Sequence, residues 1–378
     1  MLTKQEDFLQ SFLDRRQSDL SIRQLTVKDH LTDFCSNDYL GFSRSALLRH
    51  RVEEEMKRHP FHAQGSTGSR LITGNNEYII ALEKSISQFH NAENCLIFNS
   101  GYDANLGLFA SVPQKGDLVI FDEMVHASIR DGIKVCRAEA VSFRHNDIED
   151  LHSKLKMSEQ NAFVSIETVY SMDGDEAPLA EIVSLCKMYG ARLIVDEAHA
   201  TGLYGEKGEG LTQSLGLEKD VFAKVHTFSK ALGCHGAAVL GSDVLKQFLV
   251  NFSRSFIFTT ALTFHSLVSV KCAYDILAKQ QIKRNKISLL VSLFKLNIQD
   301  NPAIQVSGGN GPIQSIIIPG NDRAKQVSAA LEQAGFYAKA ILYPTVPRGS
   351  ERIRICIHSF NAEAQVISLA NKLNELLK

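Results

Sequence analysis

In RLIVDEAHATG, residues 192–202, an arginine and three aliphatic residues run into two carboxylates, and a histidine follows three places after the first. Taken alone, DEAH is a helicase signature, in which the aspartate would hold Mg²⁺ beside a nucleotide. Such a motor also needs a phosphate loop of the form GxxxxGK[ST]. The sequence has no Gly-Lys dipeptide, and its glycine-rich stretch GSTGSRLITG (65–74) has no lysine where that loop requires one. A formal net charge of −1 leaves no electrostatic footprint for nucleic acid or an anionic membrane. The other reading is a buried strand that ends in a functional aspartate, Asp196.

Working outward, NCLIF (94–98), DLVIF (117–121), AFVSIE (162–167), FAKVHTF (222–228) and AAVLG (237–241) are further short apolar runs separated by helical stretches. Near-continuous apolar strands alternating with helices predict an α/β fold whose mainly parallel sheet is covered on both faces. After about residue 275 the pattern changes. SIIIPG (315–320), a helix near 322–335, RIRICI (352–357) and a last helix over 362–377 predict a smaller α+β domain. The expected organisation is an N-terminal helix and arm over 1–45, a large α/β domain over 46–275 and a small C-terminal domain over 276–378. In open α/β sheets ligands bind beyond the carboxyl ends of the strands. NSGYDAN, DEMVHAS, TVYSMDGD, DEAHATG and SKALGCHG each follow one of these runs, so one crevice can collect all five.

Composition sets the class. Hydrophobic residues make up 44% and charged residues 22%, as in an ordinary soluble globular protein. Seven cysteines are scattered with no pair at CxxC spacing. They read as reduced thiols of a cytoplasmic protein rather than as a zinc site, so no metal is expected. The first twenty residues are charged and amphipathic and lack the apolar segment of a signal peptide. No apolar run approaches membrane-spanning length.

Lys230, in VHTFSKALG, follows an apolar strand and is flanked by Thr227 and Ser229. By itself it reads as a surface lysine opening a helix. At the same sheet edge as Asp196 it suggests an imine-forming lysine. Pyridoxal phosphate chemistry needs such a lysine, an anion for the pyridine nitrogen, a phosphate cradle and a group against the ring. Asp196 supplies the anion. Ser100, Gly101 and Tyr102 lie between a strand and a helix, where backbone N–H groups favour a phosphate, and Thr227 can add a hydroxyl. His126 can stack on the ring or be structural. His199 can approach the ring's phenolic oxygen, and Ser171 can do the same or only form a turn.

Taken together, SNDYLGF (36–42), GSTGSRLITGN, SGYDANLG, HASIRDG, SMDGDEAPLAEI, VDEAHATGLYGEKGEG, TFSKALG and RIRICIHS (352–359) resemble the α-oxoamine synthases, a branch of the fold-type I pyridoxal phosphate enzymes. The resemblance covers nearly the whole chain. It implies a homodimer with active sites at the subunit interface, and condensation of an amino acid with an acyl-coenzyme A with loss of CO₂. It makes Lys230 the imine lysine, pairs Asp196 with the ring nitrogen and His199 with the phenolic oxygen, and stacks His126 on the ring. Ser171, Gly101, Tyr102 and Thr227 serve the cofactor, and Thr260, in FTTAL (258–262), binds the neighbouring subunit's phosphate. Asn37 and Arg354 hold the amino-acid carboxylate. Arg352 is the alternative to Arg354, on the expectation that strand geometry lets only one face the site. Ser229 stands where relatives most often have glycine, and Thr263 and Phe264 where many have two prolines, which bears on loop shape and not on reaction class. The branch most resembled joins L-alanine to a pimeloyl thioester in biotin synthesis, and an arginine of DRRQSDLSIRQL, nearest Arg23, would meet the distal carboxylate. A glycine-using branch is the alternative. A protein that only holds the cofactor is disfavoured by Lys230, His126 and Arg354 occurring together.

Overall fold

The computed structural model describes residues 6–158, 161–298 and 304–378. Its strands are, in chain order, β1 (Thr32–Asp33), β2 (Asn94–Phe98), β3 (Leu118–Asp122), β4 (Glu139–Phe143), β5 (Ala162–Glu167), β6 (Arg192–Asp196), β7 (Ala223–Thr227), β8 (Ala237–Gly241), β9 (Val306–Ser307), β10 (Ile313–Ile317), β11 (Phe336–Tyr337), β12 (Lys339–Ile341) and β13 (Arg352–Cys356). By its contacts the chain divides into one unit of residues 40–171 and 176–284, and another of 1–39, 172–175 and 285–378.

In the first unit, seven strands form one sheet in the order β2-β8-β7-β6-β5-β3-β4. Neighbours from β7 through β4 pair in parallel, and β8 runs antiparallel to both β7 and β2. The reversal of β8 follows from chain length. Only the nine residues 228–236 join β7 to β8, and a parallel return needs a crossover of about a dozen residues or more. The apolar runs read from the sequence match their strands to within two residues at each end. The strand that the sequence reading missed is β4, EAVSF. It is one of the sheet's two edges, and only Phe143 is buried in it, so it carries no apolar run.

Both faces of the sheet are covered. Leu96, Phe163, Ile194, Val225 and Val239 pack with Leu108, Phe109 and Ile129 from the helices Gly101–Ser111 and Ala127–Val135 on one face. Ile120, Val164, Leu193 and Val195 pack with Leu151, Leu155, Ile182 and Val183 on the other. Each such side chain, fully buried, contributes roughly 1.5–3 kcal/mol. Helix α1 spans Asp7–Ser18, α2 Ala46–Lys57, α3 Glu77–Phe89, α4 Gly101–Ser111 and α5 Ala127–Val135.

The second unit is α+β. Its four-stranded antiparallel sheet has the order β12-β13-β10-β9, and β1 pairs in parallel with β11. That β1–β11 pairing explains why the N-terminal residues belong with the C-terminal ones. Residues 172–175 join them because Arg352 ion-pairs with Asp173 and Ser315 Oγ donates to the Met172 carbonyl at 2.7 Å. Gly174, at φ +73°, lies so close to β10 that a Cβ there would sit 2.3 Å from the Ile313 carbonyl oxygen. The contact division therefore runs at 39/40 and 284/285, against the 45 and 275 read from the sequence. Among the described residues, no helix is long and apolar enough to cross a membrane.

Candidate functional site

The register pairs Glu167 with Asp196 across β5 and β6, and Asp196 with Val225 of β7. Cross-strand partners share a face, so two buried carboxylates stand side by side at the strand ends. Asp196 Oδ1 accepts from the Ala198 N–H at 2.8 Å, and Oδ2 accepts from Asn105 Nδ2 at 2.7 Å. A carboxylate has about four acceptor positions, so Asp196 keeps capacity for further donors. Glu167 Oε1 accepts from the His126 N–H at 2.6 Å. Burial pushes the Glu167 carboxyl up, to about 8, and the Asp196 charge adds to that while the Lys230 charge opposes it.

His126 caps helix α5. Its Nδ1 meets Ser128 Oγ at 2.8 Å and the Ser128 N–H at 3.2 Å. Loss of solvation lowers its basicity, Asp196 pulls it back up and Lys230 pushes it down again. Ser100 caps helix α4, its Oγ accepting from the Asp103 N–H at 3.0 Å. Gly101 opens that helix against β7, where a Cβ would meet Thr227 Cγ2 at 2.5 Å. A larger residue would push the helix end, with its unsatisfied N–H groups, away from the strand. Thr227 is buried, and its Oγ1 reaches the Ala198 carbonyl only at 3.5 Å. Lys230 lies half-buried on the β7–β8 connection, its carbonyl accepting from the Gly233 N–H at 2.9 Å. Gly202, at φ +85°, brings the DEAHATG turn to that connection, where a Cβ would sit 2.6 Å from Ala231 Cβ.

Other expected residues lie differently. Tyr102 is exposed, and its hydroxyl donates to Asp131 at 2.5 Å on α5. His199 is buried three residues after Asp196, and Ser171 is half-buried in the turn after β5. Thr260 is exposed, with its carbonyl held by Asn99 Nδ2 at 2.7 Å beside the α4 cap. Asn105, Ser128 and Glu167 are site residues that the sequence reading did not single out. Glu167 carried the same signal as Asp196, an acid ending an apolar strand. Among the described residues no cluster of three or more His, Cys, Asp or Glu side chains could hold a metal ion.

The second unit holds the remaining expected residues. Arg354 donates to Asn37 Oδ1 at 2.9 Å, and the Tyr39 hydroxyl donates to the same oxygen at 3.1 Å. Residues two apart on a strand share a face, so alternation does not separate Arg352 from Arg354, contrary to expectation. Their partners do. Arg352 is buried against Asp173, whose Oδ1 also accepts from Ser307, whereas Arg354 donates to the neutral amide of Asn37. Arg23 donates to Thr345 Oγ1 at 3.3 Å and lines a groove of about 940 Å³ with Arg16, Lys325, Lys339 and Tyr343.

A helix end that tolerates only glycine, a buried anion with a spare acceptor and a lysine on the adjoining hairpin fit pyridoxal phosphate. The aminotransferase class I and II family model matches residues 29–373. The chain is 39% identical over 388 residues to the 8-amino-7-oxononanoate synthase of Emericella nidulans, across 96% of this chain and 93% of that one. The serine palmitoyltransferase of S. paucimobilis with a bound PLP–myriocin aldimine superposes with a TM-score of 0.89 at 26% identity, covering 100% of this chain and 98% of that one. The 8-amino-7-oxononanoate synthase of Francisella tularensis gives 0.79 at 25% identity, covering 92% and 98%. The chain thus belongs to the aminotransferase class I and II family, as a fold-type I transferase of the α-oxoamine synthase kind with pyridoxal phosphate as its cofactor.

Proposed function

We propose that the protein condenses L-alanine with a pimeloyl thioester to give 8-amino-7-oxononanoate, CO₂ and the free thiol, as a cytoplasmic step of biotin synthesis. The reading is carried by the 39% identity, over 96% of the chain, to a relative of that name. In this reading Lys230 anchors the cofactor, and Asp196, His126, His199, Ser171, Gly101, Tyr102 and Thr227 hold it. Ser100 serves through the α4 cap. When bound, pyridoxal phosphate supplies an electron sink for charge left on the amino acid's Cα. Arg354 and Asn37 grip the amino-acid carboxylate and so orient the Cα bonds. Lys230 takes the Cα proton as general base. The Cα then forms a bond to the acyl carbon as the C–S bond breaks, and loss of the carboxylate as CO₂ with return of a proton leaves the aminoketone.

The distal carboxylate of a pimeloyl chain suits a guanidinium fork, which Arg23 offers in its basic groove. Arg23→Ala is expected to lower kcat/KM for pimeloyl-thioester about tenfold to a hundredfold, the worth of one charge-assisted bond. An acyl-thioester of equal length without the terminal carboxylate should be little affected. A panel crossing alanine, glycine and serine with acetyl, pimeloyl and palmitoyl thioesters, read by product mass, tests the assignment. Glycine with acetyl-coenzyme A as the best pair would replace it with the glycine-using alternative.

The active form is a homodimer with shared sites, in which Thr260 reaches the phosphate of the neighbouring subunit. Phe61, Ile72 and Phe258 are large exposed apolar side chains in the same unit as Thr260, and a second copy would cover them. Mixing Lys230→Ala with Thr260→Ala chains puts both lesions in one site of a heterodimer and neither in the other. Activity should return in the mixture, and its absence in verified heterodimers would show single-chain sites.

A further inference from the structure

We propose that Asn105 and Ser128 form a one-way hydrogen-bond relay that ties His126 to Asp196 and keeps Nδ1 of His126 free of a proton. The inference deepens the cofactor reading above and rests on it for the roles of His126 and Asp196. Its geometry runs across three segments. Asn105 Nδ2 lies 2.7 Å from Asp196 Oδ2 and 3.0 Å from Ser128 Oγ, which in turn lies 2.8 Å from His126 Nδ1.

Chemistry sets the direction. An ionised carboxylate only accepts, so the Asn105 atom facing Asp196 is the amide nitrogen. Its second hydrogen goes to Ser128 Oγ, which therefore accepts there and has its own hydrogen left for His126. The Ser128 backbone N–H also points at Nδ1, at 3.2 Å. Two donors converge on one ring nitrogen, so the ring proton sits on Nε2. The orientation has a cost, because Asn105 Oδ1 is buried without a partner in the protein. Turning the amide would relieve that atom only by setting an oxygen against the Asp196 carboxylate. Asn105 and Ser128 are both almost wholly buried, at 2% and 1% exposure, so water does not compete for the relay.

The charges that face His126 divide. Asp196 and Asp131 favour a protonated ring, Lys230 opposes one, and the Glu167 carboxyl touches only the His126 backbone. The relay decides between them. Asn105 and Ser128 are positioning residues: they hold a neutral imidazole at a fixed angle beside the carboxylate meant for the cofactor's ring nitrogen.

The test follows His126 by ¹⁵N NMR of ring-labelled histidine in the cofactor-loaded protein, with the signal assigned by its loss in His126→Gln. The wild-type ring should carry its proton on Nε2 at neutral pH. In Ser128→Ala the midpoint for ring protonation should rise by about one unit, because a donor that favours the neutral form is lost, and in Asn105→Ala it should rise as well, because Ser128 Oγ is no longer held as the amide's acceptor and can turn to accept from a protonated Nδ1. Ser128→Thr, which keeps the hydroxyl, should restore the wild-type midpoint. A proton on Nδ1 in the wild type, or an unchanged midpoint in folded Ser128→Ala, overturns the relay. If Asn105→Ala does not fold, the Ser128 pair still decides. Borohydride labelling of Lys230 on the same samples separates the outcomes: an unlabelled Lys230 sinks the cofactor reading whatever the histidine does.

Discussion

The two faces of the seven-stranded sheet bury polar groups for opposite ends, and consecutive residues divide between them. Asp196 and Thr227 lie on the face of α4, while Glu197 and His226, their immediate neighbours, lie on the other. On the first face Asp196 uses two of its acceptor positions and keeps the rest. On the second, Glu197 uses three. Its oxygens accept from Leu211 N at 2.9 Å, Thr212 N at 2.7 Å and Thr168 Oγ1 at 3.1 Å. Lys224 donates to the His90 carbonyl at 3.0 Å, and the rings of His90 and His226 lie 3.9 Å apart. His90 spans the Glu209 carbonyl and the Tyr274 hydroxyl at 2.9 Å each. A buried carboxylate that takes donors from several segments welds them together. One that keeps a bond in reserve, at a strand end, is available to a ligand.

The largest expected effect breaks this contrast crosswise. Asp196→Ala should cost on the order of a thousandfold in kcat, since in the proposed function it removes the charge that stabilises the reacting ring, with a modest loss of stability. Glu197→Ala should do the reverse. It strips three donors of their acceptor and removes the larger of the two carboxylate charges that favour the Lys224 cation, for about 3–5 kcal/mol of stability. Chemical denaturation and turnover, measured on both proteins, check the pair. Comparable losses of both properties in both variants would erase the distinction.

A smaller effect sharpens it through pH. His90 is fully buried, which lowers its pKa to about 3, and Lys224 adds to the shift. His226 is lowered in the same direction by burial, by His90 and by Lys224. A histidine with a depressed folded pKa contributes stability above about 6.5, and that contribution is lost as pH falls below it, because the unfolded chain takes up the proton first. Glu167 has the opposite sign. Its raised folded pKa contributes stability that is full below the unfolded value near 4.5 and is lost as pH rises through about 8. Thermal melting across pH should therefore fall away on both sides. His226→Phe should flatten the acid limb and Glu167→Gln the alkaline one. A variant that flattens the wrong limb, or neither, contradicts the assignment of these groups to their faces.

How much was legible depends on whether the signal is local. RLIVD and AFVSIE read as strands because parallel strands covered on both faces must be apolar throughout, and NCLIF, antiparallel to β8 at the other edge, because four of its five residues are buried; each was found where it was read. Edge strand β4 was not, because exposure removes the pattern. Asp196 and Lys230 stood out because an acid and a lysine at strand ends are unusual locally, whereas Gly101, a common kind of turn glycine, gained meaning only from the motifs around it. Asn105 looked like an ordinary helix residue, and its meaning lies in bonds to Ser128 and Asp196, 23 and 91 residues away.

Residue order alone determined the α/β class, the strand ends that gather the polar motifs, and the family those motifs resemble, since each rests on spacing along the chain. Only the tertiary structure decided which of Arg352 and Arg354 is spent on Asp173, that β8 reverses, and that Glu197 and His226 serve the far face. Those outcomes depend on which distant groups meet. A hydrogen bond is satisfied or left open by its partner in space, and a single sequence does not record that partner.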